Sequence, residues 1–169
     1  MFVLGVDPGL SRCGYGIVTR KGNALVAAAG GVISSPPTTP LADRLRLLAD
    51  ELRALVAEYR PDAVVVERVF FQVNARTAMA TGQAAGVALL AASESRCEVA
   101  QYTSNEVKQA LVGYGSATKD QVQRMVASVL GLSSPPRPPD VADALALAVC
   151  HLTSQPLRRA VAAATGEPS

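Results

Sequence analysis

The chain has 169 residues, 49% apolar and 18% charged, with three Cys, one His and no Trp. A chain of this length buries roughly two-thirds of its unfolded surface, so it needs no disulfide or structural metal; Cys13, Cys97 and Cys150, odd in number and without a CxxC pair, read as separate packed thiols in a reducing compartment. No apolar run reaches the ~18 residues of a membrane span, so the expectation is a soluble, cytoplasmic protein, and 16 basic against 14 acidic residues, +2 overall, argues against a purely electrostatic nucleic-acid coat.

Residues 2–7 read as a buried strand, followed by the turn Pro8-Gly9-Leu10-Ser11 and a second strand over 13–19. Residues 25–34, rich in small apolar side chains, form a third, and the short connections make the three antiparallel neighbours. After a Ser-Ser-Pro-Pro-Thr-Thr-Pro break, Leu41, Leu45, Leu48, Leu52, Leu55 and Tyr59 recur at the spacing of an amphipathic helix. Arg46 and Asp50 are spaced for an ion pair on its outer face. Pro61-Asp62 ends that helix, and 63–66 is a short aliphatic run of the kind buried on both faces of a sheet, terminating at Glu67.

A loop with Phe70 and Phe71 leads into an Ala, Gly and Leu-rich helix over about 74–93, then a strand over 97–102. Thr103 with Glu106 and Thr118 with Gln121 each match a capping box, so two helices start there, with residues 112–116 as the loop between them. The segment 133–139 carries too many prolines to be helical. A last helix runs from Asp140 to about Leu152, and beyond Thr153 a frayed tail is expected. This order gives an α/β protein with a mixed five-stranded sheet flanked by helices.

Asp7 closes the first strand and Glu67 the fourth; if those strands are parallel neighbours, both carboxylates emerge at one carboxyl edge, where ligands and catalytic groups gather. Asp140 and Asp143 stand three apart, about 60° around a helix axis, and can share a target. An Asp at a strand end often only makes a turn, and acids in a first helical turn meet the dipole favourably. Glu67 is harder to explain that way, because it prolongs an aliphatic strand where a charge is costly without partners. Four carboxylates brought together repel unless cations lie between them, and hard oxygen donors select Mg²⁺ or Mn²⁺. His151, ~16 Å along the helix from Asp140, cannot share such ions and reads as a packed or solvated side chain.

The successive motifs Val6-Asp-Pro-Gly-Leu-Ser-Arg-Cys-Gly14, Val66-Glu-Arg-Val-Phe70, Val107-Lys-Gln109, Gly115-Ser-Ala-Thr-Lys119 and Asp140-Val-Ala-Asp-Ala-Leu-Ala146 resemble those of the RuvC family of Holliday-junction endonucleases, in order and across nearly the whole chain. The chain reads as a single domain over 1–153 with 154–169 as a flexible tail; the resemblance implies a ribonuclease-H-like fold for that domain and a homodimer that makes paired nicks in a four-way DNA junction, leaving 5′-phosphate and 3′-hydroxyl ends. It makes Asp7, Glu67, Asp140 and Asp143 the ligands of two Mg²⁺ or Mn²⁺ ions, and implies a branch-migration complex of RuvA and RuvB as partner. Setting the four carboxylates aside leaves 16 basic residues against 10 acidic, a balance of +6 suited to a polyanion.

By the same resemblance Lys119 stabilises charge at the reacting phosphate, Lys108 binds backbone, and Phe70 stacks on an unpaired base. Phe71 is a second candidate for DNA or core. Asn74 and Arg76, opening the next helix, either contact DNA or cap it, with DNA contact favoured for Arg76. Gly82, Ala85, Gly86 and Leu89 allow close approach of a partner helix, although a buried Ala-rich helix reads the same way; the resemblance favours a dimer interface. Rival readings are a ribonuclease-H-like nuclease acting on RNA or other branched DNA, and a non-catalytic junction-binding module. An ATP-binding protein of the actin and sugar-kinase type shares the first turn but needs two large domains.

Overall fold

The computed structural model describes residues 1–69 and 75–165, with 156–165 as backbone only. Five strands, β1 (Phe2–Asp7), β2 (Arg12–Lys21), β3 (Ala24–Ser34), β4 (Ala63–Glu67) and β5 (Glu98–Tyr102), form one sheet in the order β3-β2-β1-β4-β5. The β1–β2 and β2–β3 pairs are antiparallel, whereas β1–β4 and β4–β5 are parallel. The mixed five-stranded sheet expected from the element order is the one observed.

Helices cover both faces. On one side α1 (Leu41–Tyr59) and α2 (Ala75–Glu94) pack their Leu48, Leu52, Val56, Ala84, Ala88 and Ala91 against Leu4, Val6, Val64 and Val66. On the other, α3 (Ser104–Val112), α4 (Lys119–Val129) and α5 (Pro139–Thr165) cover Val3, Val65, Ala100 and Tyr102. Strand side chains alternate between faces. The parity that sends Leu4, Val6, Val64 and Val66 to the α1/α2 side therefore sends Asp7 and Glu67 to the α3/α4/α5 side.

Helix α5 approaches the sheet very closely, because the strands present glycine beneath it. A Cβ on Gly5 would collide with the Ala144 carbonyl, one on Gly14 with the Asp140 carbonyl, and one on Gly16 would fall 2.7 Å from Leu145 Cγ. Both expected capping boxes are formed: Thr103 accepts from the Glu106 amide at 3.1 Å and Thr118 from the Gln121 amide at 3.3 Å. The Arg46–Asp50 ion pair is present at 3.8 Å on the exposed face of α1.

One boundary differs from expectation. Helix α5 does not stop near Leu152 but continues to Thr165, so residues 154–165 are helical. Pro156 lacks an N–H and leaves the Leu152 carbonyl without its helical donor. Arg20 Nη2 from β2 donates to that oxygen at 3.3 Å and so satisfies the acceptor that Pro156 leaves orphaned. The Ala-rich sequence beyond it has high intrinsic helix propensity. His151 is fully buried, its ring within 3.1 Å of the Tyr102 hydroxyl and 3.3 Å of Gln155 Nε2, a packed side chain. Cys13 and Cys150 are buried, Cys97 is half-buried, and all three are free thiols. Among the described residues no helix is long and apolar enough to cross a membrane.

Candidate active site

The parallel register Val6↔Val66 puts Asp7 and Glu67 side by side at the carboxyl ends of the two central strands. They line a cavity of about 330 Å³ together with Ser104, Val107 and Lys108 of α3, Lys119 of α4 and Asp143 of α5. Lys119 is delivered by the Thr118 cap, which starts α4 at the residue that must face the carboxylates. Its ammonium lies 2.5 Å from Asp143 Oδ2. Asp143 is delivered by the glycine-permitted docking of α5, with the acid in the early turns of that helix.

The electrostatics are those of an under-neutralised acidic pocket. Asp7 is pushed up to about 8, chiefly by burial, then by the charges of Glu67 and Asp143, and by a hydrogen bond with Glu67; the Lys119 charge opposes this. Glu67 is also raised, mainly by burial, and because ionised carboxylates only accept, the hydrogen bond between the two carboxyls places a proton between them. The hydrogen bond to Asp143 holds Lys119 above its ordinary value. Burial pushes the neighbouring Cys13 thiol up to about 12, which keeps it a neutral packing group.

Asp140 is held differently from the other three carboxylates: it lies over Gly14, the β2 residue paired with Asp7, and within reach of the Lys119 charge. It does not line the cavity; its Oδ2 accepts from Arg12 Nη2 at 2.8 Å, and that guanidinium holds it below the usual carboxylate range. Among the described residues no three His, Cys, Asp or Glu side chains converge as a ready-made metal cage. The donor set nevertheless fits a hard divalent cation: only carboxylate oxygens are offered, and the proton on the Asp7–Glu67 pair and the Lys119 ammonium stand in for positive charge the cluster requires.

Of the remaining expected residues, Lys108 lines the same cavity and Arg76 lies exposed at the start of α2. Phe70, Phe71 and Asn74 lie outside the described residues. On α2, Gly82 and Gly86 are exposed with open space above them, whereas Leu89 is half-buried and Ala85 is buried in the core. Ala85 therefore packs within its own chain, because it lies on the side of α2 that meets α1 and β4, while Met79 and Leu90 join the two glycines on the outer side. Sequence reasoning assigned no role to Arg12, although the residue lies inside the first motif; its partner is 128 positions away.

Residues 3–151 match the family described as crossover junction endodeoxyribonuclease RuvC. The crossover junction endodeoxyribonuclease RuvC of Salinispora arenicola is 51% identical over 165 residues, covering 97% of this chain and 94% of the relative. The Thermus thermophilus RuvC structure superposes with a TM-score of 0.88 at 36% identity, covering 94% of this chain and 97% of that one. The same bacterium's RuvC in complex with Holliday junction substrate superposes with a TM-score of 0.84 at 34% identity, over 93% and 96% of the respective chains. The fold is thus ribonuclease-H-like, as the motifs implied. Agreement of this extent in both sequence and backbone leaves one assignment: the chain belongs to the RuvC family of crossover junction endodeoxyribonucleases.

Proposed function

We propose that this protein resolves four-way DNA junctions by divalent-metal-dependent hydrolysis of a phosphodiester, with Asp7, Glu67, Asp143 and Asp140 as metal ligands. The observation that carries this reading is the pocket in which Asp7, Glu67 and Asp143 meet Lys119 at the carboxyl edge of the sheet. Family membership brings the metal dependence, and hard oxygen donors favour two Mg²⁺ or Mn²⁺ ions. Ions held there supply Lewis-acid charge for the attacking and leaving oxygens of an in-line displacement. The cut leaves a 5′-phosphate and a 3′-hydroxyl.

The chain's own residues divide the remaining work. Asp7 and Glu67 surrender their shared proton when the cluster is loaded, so that both act as anionic ligands. Lys119, already directed at the carboxylates, offsets charge that develops on the phosphate. Lys108 and Arg76 hold the DNA backbone. Phe70 is assigned to stack on a base at the crossover, with Phe71 and Asn74 as further DNA contacts. A homodimer joined through the outer side of α2, with Gly82 and Gly86 at the centre and Leu89 at its margin, presents two pockets for paired nicks. RuvA and RuvB are the branch-migration partners that the family reading supplies.

The test is cleavage of a synthetic four-way junction with and without Mg²⁺ or Mn²⁺. Asp7→Asn is expected to abolish cutting while junction binding persists, and substantial cutting by that variant would overturn the ligand assignment. Equal cutting of RNA or simple branched DNA would favour a broader nuclease, and binding without metal-dependent nicking would favour a junction-binding module.

A further inference from the structure

Resting on the metal-ligand reading above, we infer that Arg12 is a positioning residue that couples metal binding to phosphate binding. In the metal-free enzyme it holds Asp140 as a counter-ion. When a divalent ion takes that carboxylate, the freed guanidinium passes to the DNA backbone beside the pocket.

The start of α5 stands between two cations: Lys119 pairs with Asp143 at 2.5 Å and Arg12 with Asp140 at 2.8 Å, and the Lys119 charge reaches Asp140 too. Lys119 lines the cavity itself and Arg12 does not. Arg12 thus holds, from outside the cavity, the one carboxylate of the four that does not line it. Its side chain is 52% exposed, so it is reachable from solvent at the rim of the site. A guanidinium keeps its charge at any working pH, and its planar fork matches a phosphate as well as it matches a carboxylate.

The backbone beneath Arg12 is pinned, which confines the exchange to the side chain. Ser35 Oγ donates to the Leu10 carbonyl at 2.6 Å, and the Ser35 amide donates to the Ser11 carbonyl at 3.1 Å. Arg44 ties both serines to α1, donating to Ser11 Oγ at 2.7 Å and to Ser35 Oγ at 2.9 Å. The turn that carries Asp7 into β2 therefore stays fixed while Arg12 changes partner. Exposed ion pairs are weak, so releasing Asp140 costs no more than about fivefold in an equilibrium constant. By linkage, a metal that frees Arg12 for DNA is itself bound more tightly when DNA is present.

Two measurements on the full chain test this. Free Mn²⁺ is titrated by electron paramagnetic resonance without DNA, and junction affinity is read by fluorescence anisotropy in Ca²⁺ and in EDTA over a range of salt. Arg12→Gln is expected to bind Mn²⁺ roughly two- to fivefold more tightly than the unsubstituted protein, since its competitor is gone. It is also expected to gain less junction affinity from Ca²⁺, with a log–log salt slope in Ca²⁺ shallower by about 1. Arg12→Lys, which keeps the charge without the fork, falls between the two. Unchanged or weaker Mn²⁺ affinity in Arg12→Gln, or an undiminished gain from Ca²⁺, overturns the coupling. A failure of the underlying metal-ligand reading looks different: the unsubstituted protein binds no Mn²⁺, or Asp143→Asn binds it equally well.

Discussion

Asp7 concentrates the conflict between folding and function. Its carboxyl is raised from 3.8 to about 8 in the folded, metal-free chain, which means that the fold prefers it protonated. A group raised in this way contributes stability that is fully present below its unfolded value and is lost as pH rises through the folded one. Each unit of displacement is worth about 1.4 kcal/mol, so in EDTA the protein should lose on the order of a few kcal/mol between about pH 4 and pH 8. Thermal melts across that range check the slope, and saturating Mg²⁺ should flatten it. Asp7→Asn should melt higher than the unsubstituted protein at pH 8 in EDTA, although the same change is expected to abolish cutting; a lower melting temperature would show that burial of charge is not what strains this position. For Lys119→Ala the expected loss is about 10²- to 10³-fold in kcat, because a preorganised charge beside the reacting phosphate is removed, with a smaller effect on junction binding. Single-turnover cleavage against binding separates the two.

The pocket exists because separate elements end where they do. The placing of Asp7 and Glu67 at strand ends was legible in the sequence, since each closes a short aliphatic run that is itself a local pattern. The capping boxes at Thr103 and Thr118 were legible for the same reason: a side chain three residues from its partner is a local event. Thr118→Ala should cost about 1 kcal/mol through the lost cap and loosen Lys119 at the first residue of α4. Urea unfolding reads the first effect and kcat the second. Not legible was the contact between α5 and the sheet, which depends on Gly5, Gly14 and Gly16 lying under a helix more than a hundred residues later. Gly5→Ala drives a methyl into the Ala144 carbonyl and should cost about 1–3 kcal/mol or more by overpacking. Because the displaced helix carries Asp140 and Asp143, metal affinity should fall in the same variant; a stable Gly5→Ala protein with intact Mn²⁺ binding would show that this approach does not set the site. The run of α5 past Leu152 escaped sequence reading as well, since the donor that rescues the orphaned carbonyl comes from Arg20 on β2.

Across the whole molecule, near-zero net charge conceals a local division: Asp7, Glu67 and Asp143 gather at one edge of the sheet, with Lys108 and Lys119 lining the same pocket. A surface of that kind binds polyanions only once the carboxylates are neutralised, so junction affinity should rise with divalent metal and fall with salt. The proposed dimer rests on α2, whose outer side exposes Met79 at 63% and Leu90 at 54%, with Gly82 and Gly86 between them. A Cβ added at Gly86 meets no heavy atom within 4 Å. Gly86→Arg should therefore leave the protomer folded, shift sedimentation toward monomer, and turn paired nicks into single ones. A variant that remains dimeric would place the interface elsewhere.

The strand and helix order, the two capped helices, the family motifs and the charged residues they carry can all be read along the chain. All of these rest on patterns within a few residues, where periodicity and capping act. Folding in three dimensions settles that Asp140 pairs with Arg12, that Ala85 packs inward, and that α5 continues beyond Pro156. Each of these depends on which distant groups the packing of α1, α2 and α5 on the sheet brings within hydrogen-bonding or van der Waals range, and no local pattern encodes that proximity.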